Sequence, residues 1–129
     1  MIQRPNAVGL VLCEDVLIEQ GTGSVTLLRC FDRLVAKTFP TPPKRFTACT
    51  VLTDGLGQVN LYLSVRRLET EEEIYARDLQ VTFRDPLAQV RVAFRIGSCA
   101  FPSAGRYEFL LSVENESIAQ CVLTVIKAK

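Results

Sequence analysis

Between Gln58 and Arg67 every second residue is aliphatic: Val59, Leu61, Leu63 and Val65 alternate with Asn60, Tyr62, Ser64 and Arg66. Successive side chains of an extended strand point to opposite faces, so this period of two describes a strand with one buried and one solvated face. It is the dominant period of the whole chain, in place of the 3.6 of a helix. Asp54-Gly55-Leu56-Gly57 precedes the run and reads as a turn whose glycines accept positive φ. Arg45 to Thr53, rich in β-formers, reads as the hairpin partner on its other side.

The same alternation predicts two more hairpins. Leu79, Val81 and Phe83 share one parity, Asp85-Pro86-Leu87-Ala88 is a turn signal, and Val90, Val92, Phe94 and Ile96 share the next parity. With Arg84 opposite Gln89, Phe83 faces Val90, Val81 faces Val92 and Leu79 faces Phe94, all on one side. Near the end, Tyr107, Phe109, Leu111 and Val113 alternate, and Asn115-Glu116-Ser117 reads as a three-residue turn. Placing Glu114 opposite Ile118 sets Leu111 against Cys121, Phe109 against Leu123 and Tyr107 against Val125. The remaining strands fall at about Ala7 to Glu19, Val25 to Phe31 and Leu34 to Phe39, the first two joined by Gly21-Thr22-Gly23-Ser24. Pro40-Thr41-Pro42-Pro43 is a rigid loop, because proline cannot donate to a ladder. Glu69 to Asp78 leaves three alternatives open: Arg77 pointing inward, a bulge near Ala76 to Asp78, or one helical turn over Thr70 to Ile74.

Eight or nine short strands in 129 residues predict one all-β domain spanning 1–129, a two-sheet antiparallel β-sandwich of immunoglobulin-like architecture. Gly105-Arg106-Tyr107, just before a late core strand, matches the tyrosine corner of such folds. Five segments carry a further likeness: Leu12-Cys13-Glu14-Asp15, Gly23-Ser24-Val25-Thr26-Leu27, Phe39-Pro40, Phe101 to Tyr107, and Ser112-Val113-Glu114-Asn115-Glu116. In that order the chain resembles a family of small, functionally uncharacterised bacterial single-domain β-sandwich proteins. The resemblance implies a compact bacterial sandwich and brings no activity. Where a glycine is expected in the last turn this chain has Asn115-Glu116, and asparagine tolerates the left-handed backbone.

Composition narrows the function. The chain has no histidine, which excludes a Ser-His-Asp triad, a Cys-His dyad and a His-ligated metal within it. No Gly-x-Ser-x-Gly elbow, Ser-x-x-Lys or phosphate-binding glycine loop stands out, so the chain reads as non-catalytic with no cofactor. Asp54 and Asp85 are too few for calcium, which takes six to eight oxygen ligands. The five cysteines (Cys13, Cys30, Cys49, Cys99 and Cys121) lack the paired spacing of a zinc site. They read as reduced core thiols in a cytoplasmic protein, with one cross-strand disulfide or one reactive thiol left open. No run approaches the length of a membrane span or of a signal peptide, so no membrane partner is expected.

Fifteen basic against fourteen acidic residues give a net charge of +1, which disfavours a dedicated nucleic-acid binder. The alternative reading keeps nucleic acid or another anionic ligand on a basic face of Arg66, Arg84, Arg91 and Arg95. The leading reading is apolar. On the last hairpin the outward parity holds Leu110, Ile118, Val122 and Ile126, with Leu110 opposite Val122. Contiguous exposed apolar side chains mark interfaces unless a loop or the first strand covers them within the monomer. The expected function is therefore a protein-interaction or assembly module, its partner another protein or a second copy of itself in a homodimer.

Overall fold

The computed structural model describes residues 3–129. It is all-β, with nine strands: β1 (Asn6–Ile18), β2 (Val25–Cys30), β3 (Arg33–Ala36), β4 (Lys44–Thr53), β5 (Gly57–Arg67), β6 (Glu73–Phe83), β7 (Val90–Cys99), β8 (Gly105–Val113) and β9 (Glu116–Lys127). They form two sheets, a four-stranded one in the order β2-β1-β4-β7 and a five-stranded one in the order β3-β9-β8-β5-β6. The four-stranded sheet is antiparallel throughout. The five-stranded sheet is mixed, because β3 runs parallel to β9, with Leu34 beside Val125 and Val35 beside Ile126. The expectation of purely antiparallel pairing is corrected there. β3 follows β2, an edge strand of the other sheet, so it is not held to the antiparallel sense of a hairpin.

One apolar core lies between the sheets. Leu12, Phe46, Ala48, Val92 and Phe94 enter it from the four-stranded sheet, and Leu61, Leu63, Phe109, Leu111 and Leu123 from the other. Phe46 meets Phe109 edge to face across the gap, with ring centroids 5.8 Å apart. The parities read from the sequence hold here: Val59, Leu61, Leu63, Val65, Val92, Phe94, Ile96, Tyr107, Phe109, Leu111 and Val113 are all buried. Tyr107 makes the anticipated corner. Its ring packs on Phe101, and its hydroxyl donates to the Ser103 carbonyl at 2.7 Å.

The neighbours of those strands differ from expectation. β4 does not pair with β5, and β6 does not pair with β7; both connections cross between the sheets. The segment Arg84 to Gln89 keeps its turn, with Asp85 Oδ1 accepting from the Leu87 amide at 2.9 Å, but it spans the layers. Alternation specifies which face a residue takes and leaves the partner strand open. The pairing that forms instead is β5 with β6, closed by a turn in which the Glu71 amide donates to the Arg67 carbonyl at 2.7 Å. The helical turn expected over Thr70 to Ile74 does not form; the one i→i+4 bond falls earlier, over Arg67 to Glu71. The register shifts by one residue near Ile74, and Arg77 keeps the inward parity of Tyr75, Leu79 and Val81. Its guanidinium donates to the Arg95 carbonyl of β7 at 2.6 Å, tying together the edge strands of the two sheets.

The last hairpin slips by two residues. Leu111 pairs with Ala119, Phe109 with Cys121 and Tyr107 with Leu123, and the extra residue Ile118 makes the slip three at the tip, where Val113 pairs with Glu116. The turn has two residues, Glu114 and Asn115, both at positive φ (50° and 66°), the geometry that matches strand twist. From Tyr107 to Leu111 the shift of two preserves every face, so the burial pattern concealed it.

Gly55 is needed for a different reason than expected. Its φ is ordinary, but a Cβ there would lie 2.8 Å from the buried Phe83 ring. Gly57, at φ 81°, takes the positive-φ role.

Candidate functional site

The residues of the anticipated apolar patch do not meet as a unit. Leu110 stands beside Gln120 on β9 and Ser64 on β5, while Val122 stands beside Glu108. Ile118 is the extra residue of the bulge and packs against the core instead of sharing the outward face. Ile126 lies next to Val35 of β3, two rungs beyond Val122. The first strand belongs to the other sheet, so it does not lie over the outer face of β8 and β9.

Polar groups fill the rest of this outer face. Both Nε and Nη2 of Arg66 donate to Glu108 Oε1, at 3.1 and 2.8 Å. The Tyr62 hydroxyl donates to Glu73 Oε1 at 2.6 Å. The small pair Ser64 and Ala76 occupies the rung between them and leaves room for that reach. The hydrogen bond from Tyr62, reinforced by Ser64, holds the Glu73 carboxyl below the usual carboxylate range. The same bond pushes the Tyr62 phenol above its ordinary value.

The anticipated basic face is dispersed. Arg66 lies on the five-stranded sheet and is paired to Glu108. Arg84 sits in the crossing after β6, and Arg91 and Arg95 point outward from β7 in the other sheet. Arg95 lies 3.8 Å from Asp15, reaching over the Thr47 rung, and Thr47 is buried. The premise that Arg84, Arg91 and Arg95 share the face of one hairpin does not hold, because β6 and β7 lie in different sheets.

The exposed apolar surface concentrates on the first hairpin. Val8 (65%), Val11 (41%), Leu17 (52%), Ile18 (66%) and Leu28 (38%) are all open to solvent on β1 and β2. Between this hairpin and the outer face of its sheet lies a groove of about 280 Å³. Val8, Val11, Val51 and Ala93 line it from the sheet, and Val16, Ile18, Val25 and Leu27 from the distal hairpin. Its polar lining is confined to Thr50, Arg91 and the Cys49 thiol. The Thr50 hydroxyl is spent on the Gly9 carbonyl at 2.6 Å.

A bulge shapes this face. Val8 pairs with Val51 and Val11 with Cys49, so two residues of β1 oppose Thr50 alone. Gly9, at φ 72°, absorbs the extra residue. The bulge turns Val8 and Val11 both outward while Leu10 enters the core. The sequence signal for this was Gly9 within an apolar run, the usual mark of a bulge in a strand. A continuous run reads as a buried strand, so its outward half went unrecognised.

Asp54 and Asp85 serve their turns: Asp54 Oδ2 accepts from Asn6 and Thr53, both at 3.1 Å. Among the described residues no three His, Cys, Asp or Glu side chains converge as a metal requires. All five cysteines are free thiols, and Cys30 is exposed. Among the described residues no helix is long and apolar enough to cross a membrane.

No curated protein matches the chain. Among solved structures it is similar to the C-terminal domain of wzt, with 12% identity and a TM-score of 0.40 over 97% of this chain and 80% of that one. Residues 9–126 match the model of a family described as of unknown function, DUF6941, and the chain belongs to that family.

Proposed function

We propose that this protein is a non-catalytic interaction module, a single immunoglobulin-like β-sandwich domain of the bacterial cytoplasm, which binds an apolar segment of a protein partner. The surface we assign to that role is the groove between the β1–β2 hairpin and its own sheet. The C-terminal hairpin is set aside, because its apolar residues are interleaved with Gln120, Glu108 and Arg66. The observation that carries the reading is the lining. Nine of the twelve residues around the groove are aliphatic, and such side chains gain about 25 cal/mol for each Å² removed from water. A partner strand would also find the edge of β2 beside the groove, where main-chain pairing adds affinity to side-chain burial. The dispersal of the arginines leaves no comparable support for a nucleic-acid partner.

The test compares Val11→Asp with Leu110→Glu. Partners are captured on the intact protein at low and high salt, and solution mass is followed by light scattering. Val11→Asp is expected to remove a salt-resistant partner, or a salt-resistant dimer, and Leu110→Glu to leave it. Loss with Leu110→Glu and retention with Val11→Asp would return the function to the C-terminal hairpin. Binding that fails steeply with salt would point to phosphate-bearing polymers instead.

A further inference from the structure

Three of the five thiols converge on the four-stranded sheet. Cys13 of β1 stands directly opposite Cys30 of β2. The Phe31 amide donates to the Leu12 carbonyl at 3.0 Å, which makes Cys13 and Cys30 a pair without hydrogen bonds between them. Cα atoms of such a pair stand about 4.5 Å apart, inside the span of about 4.4–6.8 Å that a disulfide bridges. On the other side of Cys13, Cys49 brings its Sγ to 3.7 Å. Exposure divides the three: Cys30 is open to solvent, Cys49 is half-buried and Cys13 is fully buried.

We propose that Cys30 is a peroxide-reactive thiol and Cys13 its resolving partner, the two closing a disulfide that staples β1 to β2. The Cys30 thiolate attacks one oxygen of a hydroperoxide. The O–O bond breaks, the other oxygen leaves with a proton as water or alcohol, and Cys30 becomes a sulfenic acid. The Cys13 sulfur then attacks the Cys30 sulfur, the S–O bond breaks, and the oxygen departs as water. Two thiols lose two electrons in total and the peroxide gains them. Cys49 assists without entering the bond. Burial pushes its thiol up to about 12, so it stays protonated and donates to the Cys13 sulfur. That donation offsets part of the rise that burial imposes on Cys13. Cys49 lies on β4, with β1 between it and Cys30, which leaves Cys13 as the thiol that reaches the Cys30 sulfur. The staple crosses the hairpin that walls the groove, at the end nearest β4.

The full-length protein is treated under native conditions with a small excess of hydrogen peroxide. Remaining thiols are then alkylated in denaturant, and the peptides are mapped by mass without reduction. Cleavage after Arg29 separates Cys13 from Cys30. The expected result is a loss of about two mass units, the two thiol hydrogens, with the bridge on Cys13 and Cys30. Cys13→Ser should halt the reaction at a Cys30 sulfenic acid that a dimedone-type nucleophile traps, and Cys30→Ser should leave Cys13 reduced. A bridge from Cys13 to Cys49, a bridge between chains, or five thiols still free after a dose that oxidises free cysteine would each overturn the proposal.

Discussion

On the outer face of the five-stranded sheet one rung joins Arg66 to Glu108, and Tyr62 reaches along the face to Glu73. On the outer face of the four-stranded sheet, comparable rungs hold Val11, Cys49 and Ala93, then Val8, Val51 and Arg91. Alternating strands contribute to both faces: β5, β6 and β8 to the first, β7 to the second. The difference lies in which strands stand side by side. In the first case an outward leucine or valine is flanked by a glutamine, a serine or an ion pair. In the second, outward aliphatic residues from three strands adjoin and a hairpin walls them in. A strand's own alternation determines that a residue is outside; the cross-strand neighbour determines whether that residue is part of a surface a partner can use.

The comparison breaks most completely if the shared core is removed. Phe109→Ala is expected to cost about 3–5 kcal/mol, because the ring is fully buried and bridges to Phe46 of the other sheet. Denaturant unfolding should remain a single transition at a lower midpoint. Two separated transitions would mean that each face is held by its own sheet and not by the core between them.

Gly55→Ala tests the crossing that leads from one sheet to the other. A Cβ against the Phe83 ring is expected to cost about 1–3 kcal/mol by overpacking. A thermal midpoint that does not move would show that the Phe83 ring gives way freely.

Arg66→Met probes the polar face alone. Arg66 is partly solvated, so loss of the ion pair to Glu108 should cost at most about 1 kcal/mol and less in high salt. A larger and salt-independent loss would mean that this face is braced as strongly as the core.

The smallest effect is on titration. Glu73 is held below its unfolded value, so its contribution is present above the unfolded carboxylate pKa and is lost as pH falls through the folded one. Tyr62 is held above its unfolded value, so its contribution is present below the unfolded phenol pKa and is lost as pH rises through the folded one. Tyr62→Phe should move the Glu73 titration upward toward the ordinary carboxylate range, read by NMR of the side-chain carboxyl. An unmoved Glu73 would assign its depression to Ser64.

Much of this molecule was legible without coordinates. Leu61, Leu63, Phe94, Phe109 and Leu111 were placed in the core by parity, and Tyr107 in its corner by Gly-x-Tyr spacing. The candidate surface was not legible, for two local reasons. A register error of two residues on the last hairpin is invisible to parity, yet it exchanges Val122 for Gln120 as the neighbour of Leu110. A one-residue bulge turned half of an apolar run outward, and Gly9 marks the bulge without marking which of its apolar neighbours face out.

By itself the sequence determined an all-β chain, the faces of the regularly alternating strands β5, β7 and β8, and the exclusion of histidine chemistry. Those follow from side-chain identity and from the strict period of an extended backbone. Tertiary structure alone decided that β4 leaves β5, that β6 leaves β7, that β3 runs parallel to β9 and that Cys13 meets both Cys30 and Cys49. Pairing partners are chosen by how two apolar faces close over one core, a property of all the strands together that no segment encodes alone.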